Sequence, residues 1–157
     1  MGIEIERKFL LANDNWRQQV EKSVKFRQGY LQGSEKSSVR VRIEGEKSNL
    51  NIKGATLGVS RQEFEYPIPM EDADELLSTL CDKPLIEKTR NYIYAGKHTW
   101  EIDEFAGDNQ GLIVAEIELA DEQEEFESQD WLGEEVSEDK RYYNSMLIKN
   151  PYKNWSV

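Results

Sequence analysis

The sequence is poor in the residues that most metal and redox sites use: its 157 residues include one cysteine, Cys81, and one histidine, His98. A lone cysteine excludes an intramolecular disulfide and a thiolate zinc cage. A lone histidine excludes an imidazole cluster, so any metal must be held by carboxylates, which suit hard cations such as Mg²⁺ or Mn²⁺. Proline is scarce, and no linker, repeat or low-complexity run divides the chain, which predicts one domain over residues 1–157. No apolar run approaches membrane-spanning length and the charged opening has no leader-like apolar region, so a cytoplasmic protein is expected, with no membrane partner.

Positive charge is also in deficit: 20 Lys and Arg stand against 31 Asp and Glu, a net charge of -11. Such an acidic chain is a poor binder of duplex nucleic acid or of anionic membranes. A small anionic ligand is still allowed, because a local cluster of bases can sit inside an acidic protein.

What is abundant is charge in alternation. Charged residues make up 32% of the chain, and much of it recurs at period two, the spacing of strands with two unlike faces. Eight strands are predicted, at 3–10, 26–32, 39–43, 49–54, 60–67, 87–95, 98–105 and 112–119. Short helices are expected at 14–22, 71–80, 121–130 and 137–149. Cys81 is expected to be a core residue of the second, and Phe9, Phe64, Trp100 and Phe105 to be packing anchors.

One face of these strands gathers Glu4, Glu6, Glu63, Glu65, Glu101, Asp103, Glu116 and Glu118 with Lys8, Arg40, Arg42, Lys53, Arg61, Lys88 and Arg90. The other carries Ile3, Ile5, Val39, Val41, Ile43, Ile52, Ile102, Ile117 and Leu119. For one strand alone, a solvated outer face is the simplest reading. That reading weakens as strands accumulate, because same-face like charges destabilise a sheet unless opposite charge lies between them. Glu4 with Glu6 invites a divalent cation, and Arg40 with Arg42 invites phosphate. A barrel that is polar inside and apolar outside accommodates both.

The run Glu4-Ile5-Glu6-Arg7-Lys8-Phe9-Leu10 resembles the opening of the CYTH family, also called triphosphate tunnel metalloenzymes. Gln28-Gly29-Tyr30-Leu31, Arg40-Val41-Arg42, Ile52-Lys53-Gly54, Arg61-Gln62-Glu63-Phe64-Glu65, Lys88-Thr89-Arg90, Trp100 to Phe105 and Ala115 to Leu119 resemble its later strands in order. Asp139 to Asn144 resembles the start of its C-terminal helix, and Tyr142, Asn144 and the aromatic tail through Trp155 are expected to cap one mouth of the tunnel.

The resemblance implies an all-β dominated (α+β) fold, an eight-stranded antiparallel tunnel flanked by a few helices. It implies that Lys8, Arg40, Arg42, Lys53, Arg61, Lys88 and Arg90 contact a triphosphate. Glu4, Glu6, Glu116 and Glu118, with Glu65 and Asp103 completing the acidic lining, would hold one or two metal ions. Glu4, Glu6, Lys8, Glu63 and Lys88 form the implied catalytic set, and the resemblance also allows a homodimer. Phosphoryl transfer needs positioning and charge neutralisation rather than covalent help, which such a lining supplies. Hydrolysis of tripolyphosphate to pyrophosphate plus phosphate is the favoured reaction. An adenylyl cyclase or a nucleoside or thiamine triphosphatase of the same fold is the alternative, and a non-catalytic triphosphate-binding barrel comes behind both.

Overall fold

A computed structural model describes residues 2–55 and 58–155. The period-two segments form β1 (Gly2–Leu11), β2 (Lys22–Gly33), β3 (Ser37–Glu44), β4 (Lys47–Gly54), β5 (Ser60–Pro67), β6 (Ile86–Ala95), β7 (His98–Phe105) and β8 (Ile113–Leu119). They pair antiparallel in the order β5-β4-β3-β2-β6-β7-β8-β1, and β1 pairs back onto β5 to close the barrel. Closure separates an inner from an outer face along every barrel strand. The inner face is the charged one.

Apolar side chains therefore cover the outside. On β3, Val41 and Ile43 pack under Ala73 and Leu77 of helix α1 (Met70–Thr79). Cys81 lies just past that helix, buried in the same cluster. Gly29 passes so close that an added Cβ would meet Leu85 at 2.8 Å and Cys81 at 2.9 Å. Across the barrel, Phe9, Trp100, Ile102 and Ile117 form a second cluster with Trp16 and Trp131. Phe105 is the anchor that faces inward.

At one end the inner positions change character. Ile86, Phe105 and Val114 continue the inward registers of Lys88, Asp103 and Glu116, and on them pack Tyr142, Leu147 and Ile148. Trp155 meets Tyr142 and Tyr152 edge-on at 5.1 Å. The C-terminal segment thus seals the lumen with apolar contacts, leaving a cup.

Three helical expectations need correction. The acidic stretch 121–130 is a turn followed by irregular chain. Its carboxylates have no bases at helical spacing to offset them. Instead Asp121 caps Gln123, Glu124 accepts from Ala120 and His98, and Phe126 packs on Phe9 and Trp100. The expected helix 137–149 is a 3-10 turn at Lys140–Tyr142 and a short helix α2 (Asn144–Lys149), broken at Tyr143, whose backbone is extended. The stretch 14–22 shrinks to a 3-10 turn, Asn15–Gln19, which buries Trp16, and β2 starts at Lys22, ahead of the expected 26. A ninth strand, β9 (Leu132–Glu135), pairs with the end of β1 and was not foreseen, because four residues carry too little periodicity.

Candidate active site

The closed register brings nearly all the expected residues onto one cavity. Glu4, Glu6 and Lys8 come from β1, Arg40 and Arg42 from β3, and Lys53 from β4. Arg61, Glu63 and Glu65 come from β5, Lys88 and Arg90 from β6, Glu101 from β7, and Glu116 and Glu118 from β8. Asp103 is the exception. It is fully buried behind the lining, its carboxylate taken by Lys88 Nζ at 2.7 Å and by Arg90 Nε and Nη2, both at 2.8 Å.

Much of the lining pairs along the wall, between neighbouring strands. Lys8 Nζ donates to Glu116 Oε1 at 2.7 Å and to Glu6 Oε1 at 3.1 Å. Burial pulls the Lys8 ammonium down, but Glu116 and Glu6 outweigh it and hold the group above its usual range. Glu4 accepts from Lys53 at 3.0 Å and from Arg61 at 3.2 Å. Lys53 also reaches Glu63 at 3.2 Å.

Two regions stay unbalanced, with opposite sign. Among the described residues, neither Arg40 nor Arg42 is in an ion pair, and the buried Nε of Arg40 has no hydrogen-bond partner. Burial and repulsion from Arg40 and Arg90 push the Arg42 guanidinium down to about 10. Burial and Arg40 likewise lower Lys53. Burial also pushes Lys88 down, to about 7, although Asp103 opposes it. A buried cation with no counterion is costly, so an anion beside Arg40 and Arg42 would be favoured.

On the other side carboxylates crowd. Glu118 stands directly opposite Glu6 on the neighbouring strand, and Glu101 opposite Glu116. Partial burial and the charges of Glu4, Glu101, Glu6 and Glu63 push the Glu118 carboxyl up to about 7. Among the described residues no three carboxylate, His or Cys groups converge on a ready-made cage. The excess of hard oxygen donors around Glu118, Glu6 and Glu4 nevertheless fits a divalent cation, which would relieve the repulsion.

Several lining residues escaped the sequence reading. Glu44, Asn51 and Tyr92 lie one alternation step beyond Arg42, Lys53 and Arg90, so carrying the strand period one step further would have found them. Ser137, Tyr143 and Ser145 come from the C-terminal segment, where no strand period points to them, and Asn144, expected at the tunnel mouth, lines the cavity beside them. His98 lies outside the lumen, bonded to Glu124.

A CYTH domain model matches residues 2–149. An inorganic triphosphatase of Acetivibrio thermocellus is 50% identical over 155 residues, covering 99% of each chain. An inorganic triphosphatase of Nitrosomonas europaea is 38% identical over 151 residues, covering 92% of this chain and 95% of that one. A crystal structure of an inorganic triphosphatase superposes with a TM-score of 0.66 at 34% identity, covering 92% of this chain and 97% of the other. A closed charged-lumen barrel, with a family match running almost from end to end, has one meaning: the chain belongs to the CYTH domain family.

Proposed function

We propose that this protein hydrolyses a short linear polyphosphate, tripolyphosphate to pyrophosphate plus phosphate, with Mg²⁺ or Mn²⁺ held by its carboxylates. The observation that carries the reading is the split lumen: within one cup, Arg40 and Arg42 on one wall, in no ion pair among the described residues, and crowded Glu4, Glu6 and Glu118 on the other. The names of the two relatives support it, and so does the coverage of nearly their whole length.

Arg40, Arg42, Lys53, Arg61, Lys88 and Arg90 bind phosphate oxygens, the arginines as forks and the lysines as point charges. Lys8, tied to Glu116 and Glu6, carries the bases into the acidic wall. Glu4, Glu6, Glu116 and Glu118 are the carboxylates that would hold the metal, with Glu63 and Glu65 at the edge of the same wall. A bound divalent cation would supply Lewis-acid charge and a water of lowered pKa. Water attacks the terminal phosphorus in line, the bridging P–O bond breaks, and pyrophosphate leaves with the electron pair. A carboxylate of the acidic wall takes the proton, and the closed end keeps bulk water away.

The test is product analysis with Mg²⁺ or Mn²⁺ and either tripolyphosphate or ATP. Phosphate release from tripolyphosphate, abolished by excess EDTA, is expected. Cyclic AMP formed from ATP faster than phosphate from tripolyphosphate would transfer the function to a cyclase.

Arg42→Ala tests the basic wall. Loss of a charge-assisted phosphate contact costs about 1.5–3 kcal/mol, so kcat/KM for tripolyphosphate should fall about tenfold to a hundredfold. Folding should survive, because the variant removes a buried cation that no carboxylate neutralises among the described residues, at the loss of one hydrogen bond to Gln28. Unchanged kinetics would mean that Arg42 does not meet the substrate.

A further inference from the structure

The closed end of the lumen is organised by two neutral amides that a reading of charge alone passes over. Gln28, on β2, is fully buried, and Asn144 opens α2. Arg42 Nε donates to Gln28 Oε1 at 3.0 Å, and Gln28 Nε2 donates to Asn144 Oδ1 at 3.2 Å. The same Asn144 oxygen accepts from Lys88 Nζ at 3.0 Å. Guanidinium and ammonium groups only donate, so flipping either amide would set donor against donor.

One chain of hydrogen bonds therefore runs Arg42, Gln28, Asn144, Lys88, Asp103, Arg90. It joins cations of β3 and β6 to the C-terminal segment. Among the described residues, Asn144 Nδ2 and the two terminal nitrogens of Arg42 have no protein acceptor, and both side chains line the cavity.

We propose that Gln28 and Asn144 are positioning residues for the substrate's terminal phosphate. They hold Arg42 and Lys88 at a fixed spacing, and Asn144 adds a neutral donor beside them. The C-terminal segment then completes the anion site as well as sealing the lumen. Long cationic side chains ordered before binding lose less freedom when the ligand arrives, which is how such a frame raises affinity. This inference rests on the triphosphate reading above.

Asn144→Ala, Gln28→Met and the double variant test it through three measurements. These are KM and kcat for tripolyphosphate with Mg²⁺, tripolyphosphate affinity in chelator by calorimetry, and melting temperature. Each single variant should weaken affinity and raise KM about tenfold, with kcat changed less. The double variant should lose no more than about twofold beyond the worse single one, because both residues act through one chain. Fully additive losses, or a lowered melting temperature with unchanged affinity and KM, would overturn the proposal. Should Asn144→Ala fail to fold, Asn144→Ser keeps a small polar group there and is read the same way. A wild-type protein that neither binds nor hydrolyses tripolyphosphate would remove the underlying functional reading, an outcome visible before any variant is made.

Discussion

Glu6→Gln is expected to lower tripolyphosphate hydrolysis by about two decades or more, if metal activation is the dominant catalytic contribution, while metal-free binding survives or tightens. The substitution keeps the shape of the side chain and the oxygen that accepts from Lys8 at 3.1 Å, and removes one negative charge. That charge faces Glu118 across the strand pair and lies 4.0 Å from Arg61. Without it the acidic wall holds a divalent cation less well, so the metal concentration for half-maximal rate should rise. Less repulsion also reaches the incoming anion. Phosphate release as a function of Mg²⁺, beside calorimetric titration with tripolyphosphate in chelator, separates the two effects. Parallel loss of binding and rate would show that Glu6 mainly positions Lys8, moving the metal role to Glu116 and Glu118.

The barrel was legible because alternation is a local signal. A strand such as Val39 to Ile43 shows its two faces within five residues, and a face of full charges on every strand admits few closed arrangements. The lining was legible for the same reason, where the inward residue was charged and lay within an expected strand; Glu44 lay one residue past 39–43. Neutral residues such as Asn51 in the lining and the buried Gln28 behind it were not, because an amide on a strand looks like any solvated polar residue. Their importance comes from what stands opposite them, and that depends on register. The stretch 121–130 misled in the other direction. Asp121 is a good helix start in isolation, but Phe126 and Glu124 have partners on the barrel, Trp100 and His98, and the non-helical chain lies against them. Helix propensity is a weak preference beside such contacts.

Asp103→Asn separates support of the lining from metal binding, a division that sequence alone left open by counting Asp103 with the metal-facing acids. Asp103 is fully buried, and its carboxyl is held below the usual range because Arg90 and Lys88 outweigh the effect of burial. An asparagine there keeps one acceptor oxygen and turns an amide donor toward two cations that can only donate. Removing one partner of a buried ion pair costs about 3–5 kcal/mol, and Arg90 retains only Glu101 at 3.2 Å and Glu116 at 3.6 Å. At about 2–4 °C per kcal/mol for a chain of this size, the melting temperature should fall by about 6–20 °C. A bound polyanion can supply the missing negative charge to Lys88, which lines the lumen. Adding tripolyphosphate in EDTA should therefore raise the melting temperature more for the variant than for the wild type. A tenfold gain in affinity would narrow the gap by about 1.4 kcal/mol. The Mg²⁺ concentration for half-maximal rate should stay at its wild-type value, unlike that of Glu6→Gln. If it rises as it does in Glu6→Gln, Asp103 belongs with the metal-holding acids, and the Lys88–Asp103–Arg90 cluster opens when the cation binds.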